Sequence, residues 1–365
     1  MSFAYYGLLT DDSQFTKVNL STFTVDSTIT TPNSYNTQSC IIDTVNGFAY
    51  FAGLSTVAGQ FFHPIVIKVD LSTFTEVGYL VFEDLAEYSA CYAGNSVIDI
   101  VNDFAYFVFA VGTGGTIKKI RLSDFTVFAT LTPTWSYPIA CGLSSGYLLV
   151  GCDYAQGRIQ KIKLSTFTDE GYFELLVGES YPDSCLVSGN SGYFGTINSP
   201  GKIVKVDFTT QTRVGVITLE VSENMPGYQA GAVDGTDAYF ICVGSSGGAK
   251  VVKVDLTTFT RTGSLILQYN VALLRRVCFV EGGYLYVLSR KTTTPYGYKI
   301  ERVILSSFTL DGTVLHLSDT NSSGSTNSPY CAGLFIEPTI PTTGMSMRHL
   351  KWFYRSPKNC YLGWR

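Results

Sequence analysis

KVNLSTFT (residues 17–24), KVDLSTFT (68–75), KIRLSDFT (119–126), KIKLSTFT (161–168), KVDFTTQT (205–212), KVDLTTFT (253–260) and RVILSSFT (302–309) are one eight-residue phrase written seven times. Successive copies begin 51, 51, 42, 44, 48 and 49 residues apart. A period of this length built from strand-like units means an array of small sheets, radial or linear. In the second copy Ile67, Val69 and Leu71 alternate with Lys68 and Asp70, the pattern of a half-buried strand. Asp70, Ser72 and Thr75 can bond nearby backbone amides in a tight turn, and Phe74 is expected to plug the hairpin end. Val77, Tyr79 and Val81 then form a second strand that contains Gly78. Each copy therefore marks a hairpin.

Two further strands precede each hairpin. A tyrosine-centred one recurs as FAYY from Phe3, FAYF from Phe48 and Phe104, GYLLV from Gly146, GYFGT from Gly192, AYFIC from Ala238 and GYLYV from Gly283. Before most of them lies a short strand of small residues, such as CIID from Cys40, SVID from Ser96, CLVS from Cys185 and CFVE from Cys278. Four antiparallel strands per unit, seven units and no helical period predict an all-β, seven-bladed β-propeller. The chain begins at a tyrosine strand, so its first blade lacks an innermost strand. Residues 330–335, YCAGLF, are expected to supply it and close the ring, leaving no free sheet edge there.

A unit such as GYFGTINSPGKIVKVDFTTQTRVGVITL (residues 192–219) resembles the repeats of YVTN- and NHL-type propellers. The KVDLSTFT form is similar to repeats of uncharacterised propeller proteins. The resemblance covers residues 1–337 and implies the fold; propellers of this kind serve as binding platforms, surface proteins and occasionally enzymes.

The predicted organisation is a propeller over 1–337, a Pro/Thr linker over 338–344 and a basic, aromatic tail over 345–365. The tail carries Arg348, Trp352, Phe353, Tyr354, Arg355, Tyr361 and Trp364. Five of the 25 Lys and Arg residues lie beyond residue 337 with no acid among them, so the remaining 20 face all 29 Asp and Glu. A +5 tail on a −9 body invites docking, either on its own blades or on a neighbour's. The acidic body argues against nucleic acid as the main partner. No apolar stretch approaches the 18 residues of a membrane span, and no signal-peptide pattern opens the sequence. An extracellular surface or virion location is nonetheless the favoured expectation.

Catalytic chemistry is sparse. The three histidines, His63, His316 and His349, form no metal or Ser-His-Asp pattern, and no phosphate- or dinucleotide-binding glycine motif is present. No enzyme activity, metal or cofactor is expected. Nine cysteines include Cys40, Cys141, Cys185, Cys278 and Cys331, which are expected at equivalent places near a central channel as small buried residues. Asp43, Asp99 and Asp234 are expected to stabilise turns. A tyrosine precedes each inner strand: Tyr35, Tyr88, Tyr137 (with Trp135), Tyr181, Tyr228, Tyr269 and Tyr330. These rings either wedge between blades or line a partner- or sugar-binding face. Asn19 and Asn321 sit in N-glycosylation patterns. The favoured function is a non-enzymatic building block of a surface, fibre or virion assembly, a homo-oligomer or filament joined partly by its tail. The alternative is a lectin-like carbohydrate binder, and an enzyme with a site at the channel mouth is a remote third.

Overall fold

A computed structural model describes residues 2–8, 13–86, 96–111, 114–133, 138–152, 156–224, 231–243, 248–268, 278–291, 297–317 and 329–336. Its 28 strands fall into seven four-stranded antiparallel sheets, the blades of a propeller. Blade 1 begins with β1 (Ser2–Leu8), β2 (Gln14–Asn19) and β3 (Thr24–Thr30). Blade 2 is β4 (Ser34–Asp43), β5 (Phe48–Ser55), β6 (Pro64–Asp70) and β7 (Thr75–Val81). Blade 3 is β8 (Ser96–Asp99), β9 (Phe104–Val111), β10 (Gly114–Arg121) and β11 (Thr126–Leu131). Blade 4 is β12 (Pro138–Ser144), β13 (Tyr147–Cys152), β14 (Arg158–Lys163) and β15 (Thr168–Glu174). Blade 5 is β16 (Pro182–Ser188), β17 (Ser191–Thr196), β18 (Lys202–Asp207) and β19 (Thr212–Thr218). Blade 6 is β20 (Gly231–Asp234), β21 (Asp237–Val243), β22 (Ala249–Asp255) and β23 (Thr260–Ile266). Blade 7 is β24 (Cys278–Glu281), β25 (Tyr284–Lys291), β26 (Gly297–Ile304) and β27 (Thr309–Leu317). The last strand, β28 (Pro329–Ile336), returns to pair with β1 and becomes the inner strand of blade 1. The closing strand expected over 330–335 is thus one residue longer at each end.

The repeat phrase spans the end of each third strand and the turn into the fourth. In blades 2, 5 and 6 its Asp shapes that turn. Asp70 Oδ1 accepts the amides of Ser72 and Thr73 at 2.8 and 3.1 Å. Asp207 and Asp255 do the same for the residues two and three positions on. Asn19 fills the role in blade 1, accepting from Ser21 and Thr22. In blades 1, 2, 3, 5 and 6 the pairing of third and fourth strands slips by one residue directly after the repeat's lysine. Blades 4 and 7 slip at the same point, beside Lys161 and Arg302. Such a bulge adds local twist, which a radial stack of sheets needs.

The seventh residue of the phrase follows in the left-handed region. Phe23, Phe74, Phe125, Phe167, Gln211, Phe259 and Phe308 all have φ between 50° and 56°. The phenylalanine does not plug its own hairpin. It reaches the tyrosine on the second strand of the preceding blade, with ring centroids 5.6 Å apart for Phe74 on Tyr5 and Phe125 on Tyr50. Phe167 lies on Tyr106 at 6.1 Å, Phe259 on Tyr193 at 5.7 Å, Phe308 on Tyr239 at 6.1 Å and Phe23 on Tyr286 at 5.9 Å. The repeat's lysine pairs across the strands with that tyrosine and lies against the same rings. Lys68 Nζ is 4.0 Å from the Phe48 centroid and 5.4 Å from that of Phe125. In blade 6, Gly263 sits opposite the lysine, where a Cβ would lie 3.3 Å from Phe308. A bulkier residue there would push the ring away.

The core consequently lies between blades rather than within them. Each buried apolar cluster joins neighbouring blades, as Phe15 of blade 1 does by stacking on Phe51 of blade 2 at 3.9 Å. The seam between blades 4 and 5 is built differently. GYLLV places Leu149, not Tyr147, opposite the repeat's lysine, and Gln211 replaces the phenylalanine. Phe208, where six copies have leucine, fills that seam beside Leu149 and Phe194. The bulk missing at one position is supplied three residues earlier.

Phe74 is buried and its φ is positive. Phe74→Ala is expected to lower stability by about 3 kcal/mol through the lost ring. Phe74→Gly should cost about 1 kcal/mol less, because glycine adopts this backbone without strain. Urea titrations of the two variants check the order; alanine outlasting glycine would contradict it.

Candidate functional site

The strand directions give the ring two unlike faces. One carries the turns between first and second and between third and fourth strands: the turn face. The other carries the connections between blades and those between second and third strands: the loop face. Turns on the first are tied down by side chains. Asp43 accepts from the amides of Val45 and Asn46 at 3.0 and 2.9 Å, and Asp99 accepts from the Asn102 amide at 3.2 Å. The carboxyls of Asp207 and Asp255 are held below the usual carboxylate range, first by the amides of Thr210 and Thr258.

The inner strands of blades 2 to 5 border an open cavity of about 330 Å³, lined by Ile41, Val97, Ile98, Leu143 and Val187 with Ser96, Cys141, Gly142 and Cys185. Ser96 is hydrogen-bonded across the seam to Ser39. Among the described residues no three of His, Cys, Asp or Glu are disposed to hold a metal ion. Cys40, Cys141, Cys185 and Cys278 hold equivalent places, each one residue before the partner of the second-strand tyrosine or its Leu149 counterpart. Cys331 does not. It pairs with Gly7, and Ala332, opposite Tyr6, takes the equivalent place. The difference is one residue of register, invisible without the pairing.

Of the predicted tyrosines, Tyr35 and Tyr181 have described side chains, and both fall toward the loop face. Tyr181 stands immediately before β16, is 37% exposed, and has φ 51°. Tyr35 lies inside β4, paired with Leu54, rather than in the loop before it; it is half-buried, its ring edge-on to Phe62 at 6.3 Å. β4 starts six residues earlier than Cys40 because a register shift between Tyr35 and Ser39 lets the strand continue. Tyr330 is in β28. Tyr88, Trp135, Tyr137, Tyr228, Tyr269, Asn321, the 338–344 linker and the whole 345–365 tail lie outside the described residues. His63 is half-buried, with Nδ1 2.9 Å from the Leu85 carbonyl oxygen.

Around Tyr181 the loops of blades 4 and 5 form one ridge. Ile197 N donates to Tyr181 O at 3.1 Å, Ser180 N to Asn198 Oδ1 at 3.1 Å, and Gly201 N to Glu223 O at 2.8 Å. Along it Leu176 is 57% exposed, Val177 89%, Ile197 41% and Val221 84%.

Two motifs unread in the sequence hold this ridge. LLVGE (175–179) and LEVSE (219–223) each fold so that the glutamate accepts a backbone amide three residues back, Leu176 N and Glu220 N, at 3.1 Å. Each glutamate then receives an arginine from the next blade's outer strand. Arg213 Nε lies 2.9 Å from Glu179 Oε2 and its Nη2 2.5 Å from Oε1. Arg261 contacts Glu223 at 2.9 and 2.7 Å. Burial, the largest single effect, would raise the Glu223 carboxyl, but the Arg261 guanidinium, the Glu220 amide and Ser264 together hold the group below the carboxylate range. The repeated Leu-x-Val-x-Glu was the available signal.

The molecule is a seven-bladed β-propeller repeat protein. No known protein family and no curated protein matches the sequence. Among solved structures it is similar to a functionally unknown protein from Desulfotomaculum acetoxidans, with a TM-score of 0.66, 12% identity, and 90% of this chain and 99% of that one covered. It is also similar to a chain of a nidogen/laminin complex, with a TM-score of 0.50, 10% identity, and 92% and 99% covered. At these identities the likeness is one of fold.

Two outcomes are expected here. Arg261→Ala leaves the fully buried Glu223 carboxylate uncompensated and should cost about 3 kcal/mol at neutral pH. Because the folded Glu223 value is depressed, the pair's contribution is present above the unfolded carboxylate value and lost as pH falls through the folded one. The loss on mutation should therefore shrink at acid pH, and a pH-independent loss would contradict it. Separately, Asp255→Asn should keep its turn, as Asn19 does, yet flatten the acid-side fall in melting temperature. Asp255→Ala should lower melting at neutral pH as well.

Proposed function

We propose that this chain is a non-enzymatic structural or interaction protein. It is a rigid disc that joins other copies into a surface, fibre or virion-type assembly, with residues 345–365 as one joining element. One observation carries the reading: exposed apolar side chains gather on the ridge of the loop face, where Leu176, Val177, Tyr181, Ile197 and Val221 lie on hydrogen-bonded loops. Contiguous exposed apolar surface rimmed by polar groups marks contact sites. The separation of a +5 tail from a −9 body supports self-association, since it lets unlike charges steer copies together.

Carbohydrate binding is the second reading, favoured by the partly exposed ring of Tyr181, which offers an apolar face and a polar tip. The ridge beside it is aliphatic, and that suits a protein surface better than a sugar.

Mass photometry of the full chain over a concentration series tests the proposal. Particles heavier than one copy are expected, and Trp352→Ala with Trp364→Ala should return them to single copies without changing the melting temperature. A full chain that stays a single copy throughout, and that retains on a glycan array through Tyr181, would replace this reading with the second.

A further inference from the structure

The seven copies of the repeat build one turn, and two of them differ from the rest in charge. The sixth residue is Thr22, Thr73, Thr166, Thr210, Thr258 or Ser307, and in blade 3 it is Asp124. All seven are exposed on the turn face. Each of the six hydroxyls lies 2.7–2.8 Å from the threonine Oγ1 two residues on. The Asp124 carboxylate keeps that contact, accepting from Thr126 Oγ1 at 2.8 Å, and adds a second by accepting from Arg121 Nη1 at 3.2 Å. The Thr126 hydroxyl first, and then Arg121, hold its carboxyl below the usual carboxylate range. The turn therefore carries a negative charge in place of the hydroxyl when a cation stands three residues before it.

That third-position residue sorts the six hydroxyls. It is Asp70, Asp207 and Asp255 before Thr73, Thr210 and Thr258, Asn19 before Thr22, and Ile304 before Ser307. Before Thr166 it is a cation, Lys163, in the place that Arg121 holds in blade 3. A phosphoryl group adds about 1.5–2 negative charges at neutral pH, favoured opposite a cation and disfavoured beside a carboxylate. At Thr73, Thr210 and Thr258 it would meet an Asp that already accepts the backbone amide of the same threonine. The Lys163 side chain is 43% exposed and lies 3.7 Å from Glu170. A surface pair of that kind is weak, so the ammonium is free to turn to a phosphate.

We propose that Thr166 is a phosphorylation site. Its Oγ1 attacks the γ-phosphorus of a nucleoside triphosphate held by a protein kinase. The bond from that phosphorus to the β-phosphate oxygen breaks, the nucleoside diphosphate leaves, and the hydroxyl proton passes to the kinase's general base. The product repeats the blade 3 turn with phosphate for carboxylate. Thr168 donates to one phosphate oxygen and Lys163 to another, as Thr126 and Arg121 donate to Asp124. The proposal does not depend on the assembly reading, which uses the loop-face ridge and the tail.

Two measurements on the full chain test it. In the first, the chain is incubated with ATP and a protein kinase that selects a basic residue three positions before the acceptor, and phosphopeptides are mapped by mass spectrometry. Labelling at Thr166 should exceed that at Thr22, Thr73, Thr210, Thr258 and Ser307 by about tenfold or more. In the second, which involves no kinase, phosphothreonine is encoded at position 166 or at position 258 and its phosphate is titrated by phosphorus NMR. A nearby cation favours the dianion, so the phosphate at 166 should lose its second proton at lower pH than the one at 258. Lys163→Ala should remove that difference. The chain phosphorylated at 166 should melt no lower than the unmodified one, and the chain phosphorylated at 258 should melt below it. A kinase reaction that leaves Thr166 unlabelled, or labels Thr258 as readily, overturns the proposal. Phosphates that titrate alike at the two positions, or equal losses in melting temperature, overturn it as well.

Discussion

One contact recurs around the ring and the rest depends on it: a phenylalanine in a left-handed turn laid on a tyrosine of the blade before, with a lysine or arginine over the rings. Each member fails alone. The phenylalanine's backbone costs on the order of 1–2 kcal/mol that only packing offsets. Burial lowers the Lys68 ammonium below its ordinary value, a cost that the aromatic faces beside it partly repay. The tyrosines are buried; for Tyr239 burial is the largest cause pushing the phenol up to about 12. Together the three residues turn a strand and a hairpin into an inter-blade joint. Because a blade's apolar residues face its neighbours, no blade holds a core of its own; blades 7 and 1 share the same joint through Phe23, Tyr286 and Arg302, and β28 completes the inner edge of blade 1.

Much of this was legible because the sequence repeats. Seven copies of one phrase set the number of blades, and the missing inner strand at the start located its replacement at the end. Alternation gave the strands, and the Asp at the third position of the second copy gave the turn; that Asn19 does the same in blade 1 came only from the structure. What stayed hidden depended on register and on neighbours. Tyr147 has the look of the other tyrosines yet stands two residues from their place, and Cys331 stands one residue from the place of the other cysteines. The destination of Phe74 could not be read, because its partner belongs to a different repeat. The Glu179–Arg213 and Glu223–Arg261 pairs were written twice in plain sight, but a motif of ordinary residues draws notice only once its two ends are seen to meet. Of the tyrosines expected on one face, the structure describes the side chains of Tyr35 and Tyr181, and only Tyr181 stands on the apolar ridge.

The functional reading follows from how the two faces are used. Short turns capped by Asp and Asn make the turn face a set of small, closed structures. The loop face between blades 4 and 5 is held instead by buried ion pairs, with leucine and valine turned outward. A surface that keeps its charges satisfied and its aliphatic side chains exposed supports the proposed contact role. The seam beneath it is also the one where Phe208 stands in for the usual tyrosine and phenylalanine, so ridge and altered joint coincide.

The joint itself can be measured. Leu149 and Gln211 show what a seam looks like without it, so the seam between blades 2 and 3 can be changed to match by Tyr50→Leu and Phe125→Gln, singly and together. A double-mutant cycle by urea unfolding should return a favourable coupling of about 0.5–1.5 kcal/mol between Tyr50 and Phe125. Strict additivity of the two losses would contradict the claim that this pair joins one blade to the next.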